Sequence, residues 1–203
     1  MEENIKIHKI SFIDDFKEII SLTKQAVKFS RFVNEKDIDE YATKFFLDAY
    51  KESSISLGLY LDGTLKGLIL FHYLKEEVIN KDFPNEVYLS LLNKFNNYKY
   101  LENNYVYRET CEALLKEINE NFDGEITLFV TDKSCRGRGF GKLLLKECLK
   151  EIESLECENI FLTSDSECNF SFYFTYGFKL VKEAKVKYKK EEITVYIESK
   201  RLK

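Results

Sequence analysis

The sequence holds one proline and two histidines in 203 residues, and no apolar run long enough to cross a bilayer. A single proline and no low-complexity stretch argue against a disordered chain. The histidines are His8 and His72, and the five cysteines, Cys111, Cys135, Cys148, Cys157 and Cys168, include no C-x-x-C pair. That supply argues against a zinc site, and no metal is expected. An odd, unpaired set of cysteines reads as reduced thiols, which implies a cytoplasmic setting. Met1 is followed by Glu2-Glu3-Asn4 rather than by a basic segment and an apolar stretch, so no signal peptide is expected. The formal net charge of −4 gives no reason to expect nucleic acid as a partner. Hydrophobic residues make up 44% and charged residues 33%, the balance of a soluble globular chain. The length suits one domain, residues 1–203, with no internal repeat and no linker.

Periodicity sketches the elements. Residues 4–10 alternate apolar and polar, as a half-buried strand does. Ile13, Phe16, Ile19, Ile20, Thr23 and Val27 recur at helical spacing behind Ser11, which reads as an N-cap. A second helix is expected over 35–51. Ile55–Leu61 and Leu65–Tyr73 form a hairpin about Asp62-Gly63-Thr64. The stretch 74–123 has little strand character. Pro84 suits a first helical position, ahead of a face of Val87, Tyr88, Leu91, Leu92 and Phe95. A further helix, 105–121, carries Cys111, Leu114, Leu115 and Ile118 and ends at Gly124. This segment exceeds a simple connection and reads as a lid, a homodimer surface or a substrate-side insertion. A strand over 125–131, a helix over 139–154 and a strand over 159–163 form a parallel unit with a right-handed crossover. Cys168–Tyr176 reads as a short aromatic helix stopped by Gly177. Phe178–Tyr188 and Ile193–Ser199 close the chain as a hairpin about residues 189–192. The order is that of a mixed α+β fold.

The chemistry concentrates where an apolar strand, Leu128-Phe129-Val130-Thr131, runs through Asp132-Lys133-Ser134-Cys135 into Arg136-Gly137-Arg138-Gly139-Phe140-Gly141-Lys142 and an apolar-faced helix. Three glycines let a ligand lie against the backbone. The first amides of a helix lack internal partners and attract anions. Arg136, Arg138 and Lys142 add full charges, and arginine suits phosphate geometry. The loop reads as a cradle for a pyrophosphate. A dinucleotide fingerprint would need glycine at Lys142, and a P-loop would need glycine at Arg136 and Ser or Thr at Leu143, so both fail. Cys135, beside the cradle, reads as a small loop residue.

The remaining pattern, Arg136-x-x-Gly139-x-Gly141, resembles the R/Q-x-x-G-x-G/A signature of the Gcn5-related N-acetyltransferases, the GNAT family. Asn169-Phe170-Ser171-Phe172-Tyr173-Phe174-Thr175-Tyr176-Gly177-Phe178 resembles the family's N-x-x-x-Y-x-x-x-G-F ending. The resemblance is densest over 125–178, which it marks as the cofactor-binding core, with 74–123 as a helical insertion before the central strand. It implies the GNAT acyl-CoA N-acyltransferase fold, a mixed twisted sheet flanked by helices. It implies acetyl-CoA as co-substrate, its pyrophosphate held by Arg136, Gly137, Arg138, Gly139, Phe140, Gly141 and Lys142. The pantetheine amides would pair with the backbone of Leu128, Phe129, Val130 and Thr131, and Asn169 would touch the pantetheine or phosphate region. One departure stands out: the family's V-x-P-x-x-R lacks its proline here, and Val130 lies one residue further from Arg136.

By the same resemblance Tyr173 sits near the CoA sulfur. A phenol with pKa ~10 is protonated at neutral pH and can give its proton to a departing thiolate of pKa ~8.5. The alternative is one more aromatic in a packed helix. The acceptor amine must lose a proton, which at pKa ~10.4 costs ~4.6 kcal/mol at pH 7. Glu125-Ile126-Thr127-Leu128-Phe129-Val130 resembles the strand of the histone acetyltransferase branch, where a glutamate is the general base, and Glu125 takes that part. The alternative is a solvated residue at a strand start. The activity implied is direct acetyl transfer to a primary amine, on a small cationic molecule such as a polyamine or aminoglycoside, or on a protein. The alternatives are a module that binds acyl-CoA without turnover and an enzyme for a longer acyl-CoA.

Overall fold

The computed structural model describes residues 4–78, 80, 82–96, 102–188 and 191–202, with Glu102 and Asn103 described through their backbone alone. In chain order the elements are β1 (Ile5–Lys9), α1 (Phe16–Ala26), α2 (Ile38–Lys51), β2 (Ile55–Leu61), β3 (Thr64–Tyr73), α3 (Asn85–Phe95), α4 (Glu102–Lys116), β4 (Gly124–Thr131), α5 (Phe140–Ile152), β5 (Asn159–Asp165), α6 (Ser171–Phe174), β6 (Lys179–Lys187) and β7 (Glu192–Arg201). The strands form one sheet in the order β1-β2-β3-β4-β5-β7-β6, antiparallel except for the β4–β5 pair. The expected α+β fold is the one observed. No helix among the described residues is long and apolar enough to cross a membrane.

Helices cover both faces. Leu68, Leu70, Leu128 and Val130 pack under α1, α2 and α3 with Ile19, Phe46 and Phe95. On the same side Leu114 of α4 packs on Phe161, Val195 and Ile197. The other face packs Ile69, Phe71, Ile126 and Leu162 against Leu144, Leu145, Cys148 and Ile152 of α5.

Several boundaries differ from the sequence reading. Ser11 does not cap α1. Its hydroxyl accepts from Asp14 N–H (3.2 Å), and its own N–H donates to Asp15 Oδ2 (2.9 Å), so it closes a turn ahead of the helix. α1 starts at Phe16, and Ile13 is left 81% exposed. Pro84 is the residue before α3 rather than its first. α4 runs Glu102–Lys116, not 105–121, and Gly124 does not end it. Gly124 belongs to β4, where a Cβ would sit 2.1 Å from the Phe71 ring; close strand packing needs the glycine there. Only Ser171–Phe174 of the expected 168–176 helix is helical. Cys135 is buried in the α5-side core. In the last hairpin, Lys189 and Lys190 lie outside the described residues.

Two irregularities position the site. Leu70 pairs with Leu128 and Phe71 with Ile126, so Thr127 is an extra residue in β4, a bulge. Ile126 therefore faces α5, while Leu128 and Val130 face α1 and α2. Second, β4 pairs with β5 only over Gly124–Ile126 and Ile160–Leu162. The start of that pair is tied down by Asp123, whose Oδ2 accepts from the N–H of Glu158 (2.6 Å) and Asn159 (3.0 Å). Beyond it the strands part, leaving residues 127–131 with β3 on one side and no paired strand on the other among the described residues.

Candidate active site

The loop from β4 to α5 is built to hold an open backbone. Asp132 N–H bonds Lys66 O (2.8 Å), continuing the β3 ladder by one residue. Asp132 Oδ1 accepts from Ser134 N–H (2.8 Å) and from the Ser134 hydroxyl, which caps a short turn over Lys133–Cys135. Those bonds hold the Asp132 carboxyl below its ordinary range. Gln25 of α1 braces the loop from outside. Its Nε2 donates to Asp132 Oδ2 (3.3 Å) and its Oε1 accepts from Lys133 N–H (2.9 Å). No sequence signal links Gln25 to a loop more than a hundred residues on. Gln25→Ala is expected to weaken acetyl-CoA binding several-fold at unchanged fold stability, read by calorimetric titration beside a melting curve.

Gly137 and Gly139 have φ of 74° and 78°, and nothing lies within 4 Å of where their Cβ atoms would be. Only glycine takes that backbone without strain, and the space beside it stays free for a ligand. Gly139 caps α5. The first bonded amide there is Leu143 N–H, to Gly139 O (3.1 Å), so the amides of Phe140, Gly141 and Lys142 form the open end of the helix. Arg136 and Lys142 are exposed beside them. Phe140 is buried and anchors the turn, with the Arg138 guanidinium 4.5 Å over its ring. These groups fit an anion of pyrophosphate size.

Where β4 and β5 part, a cavity of about 440 Å³ opens on the α1/α4 side. Its walls are β4 from Glu125 to Phe129, β5 from Leu162 to Asp165, the end of α1, and Tyr107, Arg108 and Cys111 of α4. The segment 74–123 thus contributes α4 to the cavity wall. Phe129 joins cavity to cradle: its ring lies 5.8 Å from Phe172 and 6.2 Å from Tyr173, and near Gly141.

Glu125 and Tyr173 both line this cavity. Burial, with the charge of Glu52 adding, raises the Glu125 carboxyl to about 7, and it makes no hydrogen bond among the described residues. Tyr173 is packed by Phe172 and Phe178, and burial raises its phenol well above 10. It is therefore neutral at physiological pH. Asn169 lies outside the cavity lining. It is exposed at the head of α6, where its Oδ1 accepts from the Ser171 hydroxyl (2.9 Å). Leu128 and Phe129 reach the cavity; Val130 and Thr131 continue the free strand edge toward the cradle.

The sequence reading missed the opposite wall. Arg31, its side chain 5% exposed, bonds Glu191 through Nε (2.6 Å to Oε1) and a terminal nitrogen (3.1 Å to Oε2), and pairs with Glu167. Lys28 joins Glu191 at 3.1 Å. The bond from Arg31 leads in lowering the Glu191 carboxyl to about 2. The cluster ties the β5–α6 and β6–β7 connections to the turn after α1. A basic residue in a loop carries no sequence mark of such a role.

Residues 105–193 match the family model described as acetyltransferase (GNAT) domain. No curated protein matches the sequence. Solved structures of similar fold include the ribosomal-protein-S18-alanine N-acetyltransferase from Escherichia coli, at 12% identity and TM-score 0.59, covering 98% of this chain and 94% of that one. An N-acetyltransferase from Staphylococcus aureus Mu50 aligns at 16% identity and TM-score 0.60, over 98% and 99%. An acetyltransferase of the GNAT family from Streptococcus pneumoniae aligns at 14% and 0.55, over 98% and 100%. At these identities the likeness is one of fold. Residues 105–193 thus match a GNAT acetyltransferase domain in sequence, and the fold is similar to that of N-acetyltransferases over nearly the whole chain.

Proposed function

We propose that this protein transfers an acetyl group from acetyl-CoA to a primary amine, by direct attack. The observation that carries this reading is the parting of β4 and β5 after Ile126 and Leu162, with an anion cradle at one end of the free edge and Glu125 and Tyr173 in the cavity at the other. When bound, acetyl-CoA supplies an acyl carbon activated as a thioester. The open amides at Phe140, Gly141 and Lys142, with Arg136, Gly137, Arg138 and Gly139, hold its pyrophosphate. The free edge over Leu128, Phe129, Val130 and Thr131 takes the pantetheine amides as an added strand, and Asn169 closes on it from the α6 side.

Glu125 is the general base. With its carboxyl raised to about 7, it is partly ionised at neutral pH and basic enough to draw a proton from an ammonium, directly or through a water. Tyr173 is the general acid, neutral and facing the cavity. Cys111 and Cys168 also line the cavity, but burial pushes their thiols up to about 12 and 11. Neither offers a thiolate at pH 7, which supports direct attack over a covalent enzyme intermediate. The acceptor is a small amine or a protein amine.

An acceptor screen with a thiol reagent tests the reading. The panel spans polyamines, aminoglycosides and peptides with free N-termini or lysines. CoA release with at least one amine, and a product heavier by one acetyl group, is expected. Tight acetyl-CoA binding with no release across the panel overturns it in favour of a non-catalytic acyl-CoA module, and faster release from longer acyl-CoAs reassigns the donor. Tyr173→Phe is expected to lower kcat roughly 100-fold with acetyl-CoA affinity retained; parental turnover in that variant removes Tyr173 from the mechanism.

A further inference from the structure

An ammonium that becomes an amide loses two protons. The departing sulfur takes up one, so each turnover of the proposed reaction releases one proton in surplus. Glu125 receives it in a buried position, with no hydrogen bond among the described residues to pass it on. The cavity in front of Glu125 is the place of the substrates.

What stands behind Glu125 offers a way out. In the sheet β4 lies between β5, on the cavity side, and β3. Directly opposite Glu125 on β3 is His72. Opposite residues of an antiparallel pair share a face, with Cβ atoms ~5 Å apart. The pair is flanked by Phe71–Ile126 and Tyr73–Gly124, in register, so the bulge at Thr127 does not disturb it. The His72 ring in turn meets Glu52, the residue that ends α2, with Nδ1 3.7 Å from Glu52 Oε2. The His72 side chain is 20% exposed and that of Glu52 65%. Three groups thus lead in order from the cavity to water: a buried carboxyl, a half-buried imidazole and an exposed carboxylate. Imidazole is the side chain that takes and gives a proton between pH 5 and 8, a window that includes the range of the Glu125 carboxyl. The carbonyl end of α2 and the charge of Glu52 both favour the imidazolium that forms in passing.

We propose that His72 is a positioning residue that acts through Glu125, carrying its proton across β3 to the surface at Glu52. The inference rests on the base role of Glu125 proposed above. The O–H bond of protonated Glu125 breaks and its proton bonds Nε2 of His72, since Nδ1 is turned to Glu52. The imidazolium then gives its Nδ1 proton to the Glu52 carboxylate or to water, and Glu52 releases it to water. Exchange with water at the exposed part of the ring restores the starting tautomer. Nitrogen has lost two protons, sulfur has gained one, water has gained one, and Glu125 is again a carboxylate.

The groups that face the pair are Glu52 at the end of α2 and, across the cavity from Glu125, Arg108, Cys111 and Glu112 of α4. The test uses the full chain with 13Cε1-labelled histidine. His8 and His72 are its only histidines, and the His72 signal is assigned by its loss in His72→Gln. Its titration midpoint is expected to fall by about one pH unit in Glu125→Gln, because a nearby carboxylate favours the imidazolium, and to fall also in Glu52→Gln. The His8 midpoint stays in place in both. A His72 midpoint that either variant leaves unmoved overturns the proposal. This readout needs no turnover, so it decides the pairing even where no amine is acetylated, whereas parental turnover in Glu125→Gln would strike the base assignment itself. In turnover, His72→Gln is expected to lower kcat about 10-fold at unchanged KM for acetyl-CoA, and to add nothing in the Glu125→Gln background. Parental kcat in His72→Gln, or an equal loss in both backgrounds, overturns the proposal.

Discussion

Glu125→Gln is expected to lower kcat by roughly 100- to 1000-fold, the range of a lost general base, while acetyl-CoA binds as before. The parent's kcat should rise with pH through about 7, as the Glu125 carboxyl ionises, and that limb should vanish in the variant. Steady-state rates from pH 5.5 to 9 check both. A variant that keeps the limb assigns it to another group. Stability should move the opposite way. The Glu125 carboxyl is raised in the folded state, so the folded chain holds its proton longer than the unfolded one. Its contribution is fully present below the ordinary pKa of 4.5 and is lost as pH rises through about 7. Glu125→Gln should therefore melt higher than the parent at pH 8 and nearly level with it at pH 4.5. A carboxyl raised by burial makes the folded chain less stable at the pH where it ionises.

Gly139→Glu should abolish acetyl-CoA binding at any practical concentration, a loss of roughly 100-fold or more, since a like charge against an anion costs several kcal/mol. Gly139 combines a φ of 78° with open space where a side chain would start. A glutamate there carries both backbone strain and a carboxylate aimed at the site of a pyrophosphate. Gly139→Ala separates the two, since it brings the strain of ~1–2 kcal/mol without the charge. Calorimetric titration and melting curves on both variants give the division. Unchanged affinity in Gly139→Glu would move the pyrophosphate away from residues 136–142.

How far the sequence reached differs between segments. The β2–β3 hairpin was legible because Asp62 and Gly63, at φ of 50° and 80°, suit a two-residue turn between apolar strands. The β4-α5-β5 unit was legible because glycine spacing and an apolar helix face are local patterns. The end of α4 was misread because a glycine reads alike as a helix stop and as a strand residue pressed on an aromatic ring. Only the neighbour, Phe71, decides between them. The start of α1 was misread because Ser11 bonds the turn before the helix, a choice settled by Asp14 and Asp15. The bulge at Thr127 left no trace in the alternation of β4, since it changes which face each residue meets and not the residues themselves.

By itself the sequence determined the mixed α+β architecture, the glycine and arginine loop suited to an anion, and the candidacy of Glu125 and Tyr173. Those follow from short-range periodicity, backbone freedom and charge, which are properties of neighbouring residues. Only the tertiary structure decided that β4 and β5 part, that α4 walls the cavity between them and that Gln25 braces the loop. Each joins residues tens of positions apart, and what pairs them is sheet register and helix packing, which no local pattern encodes.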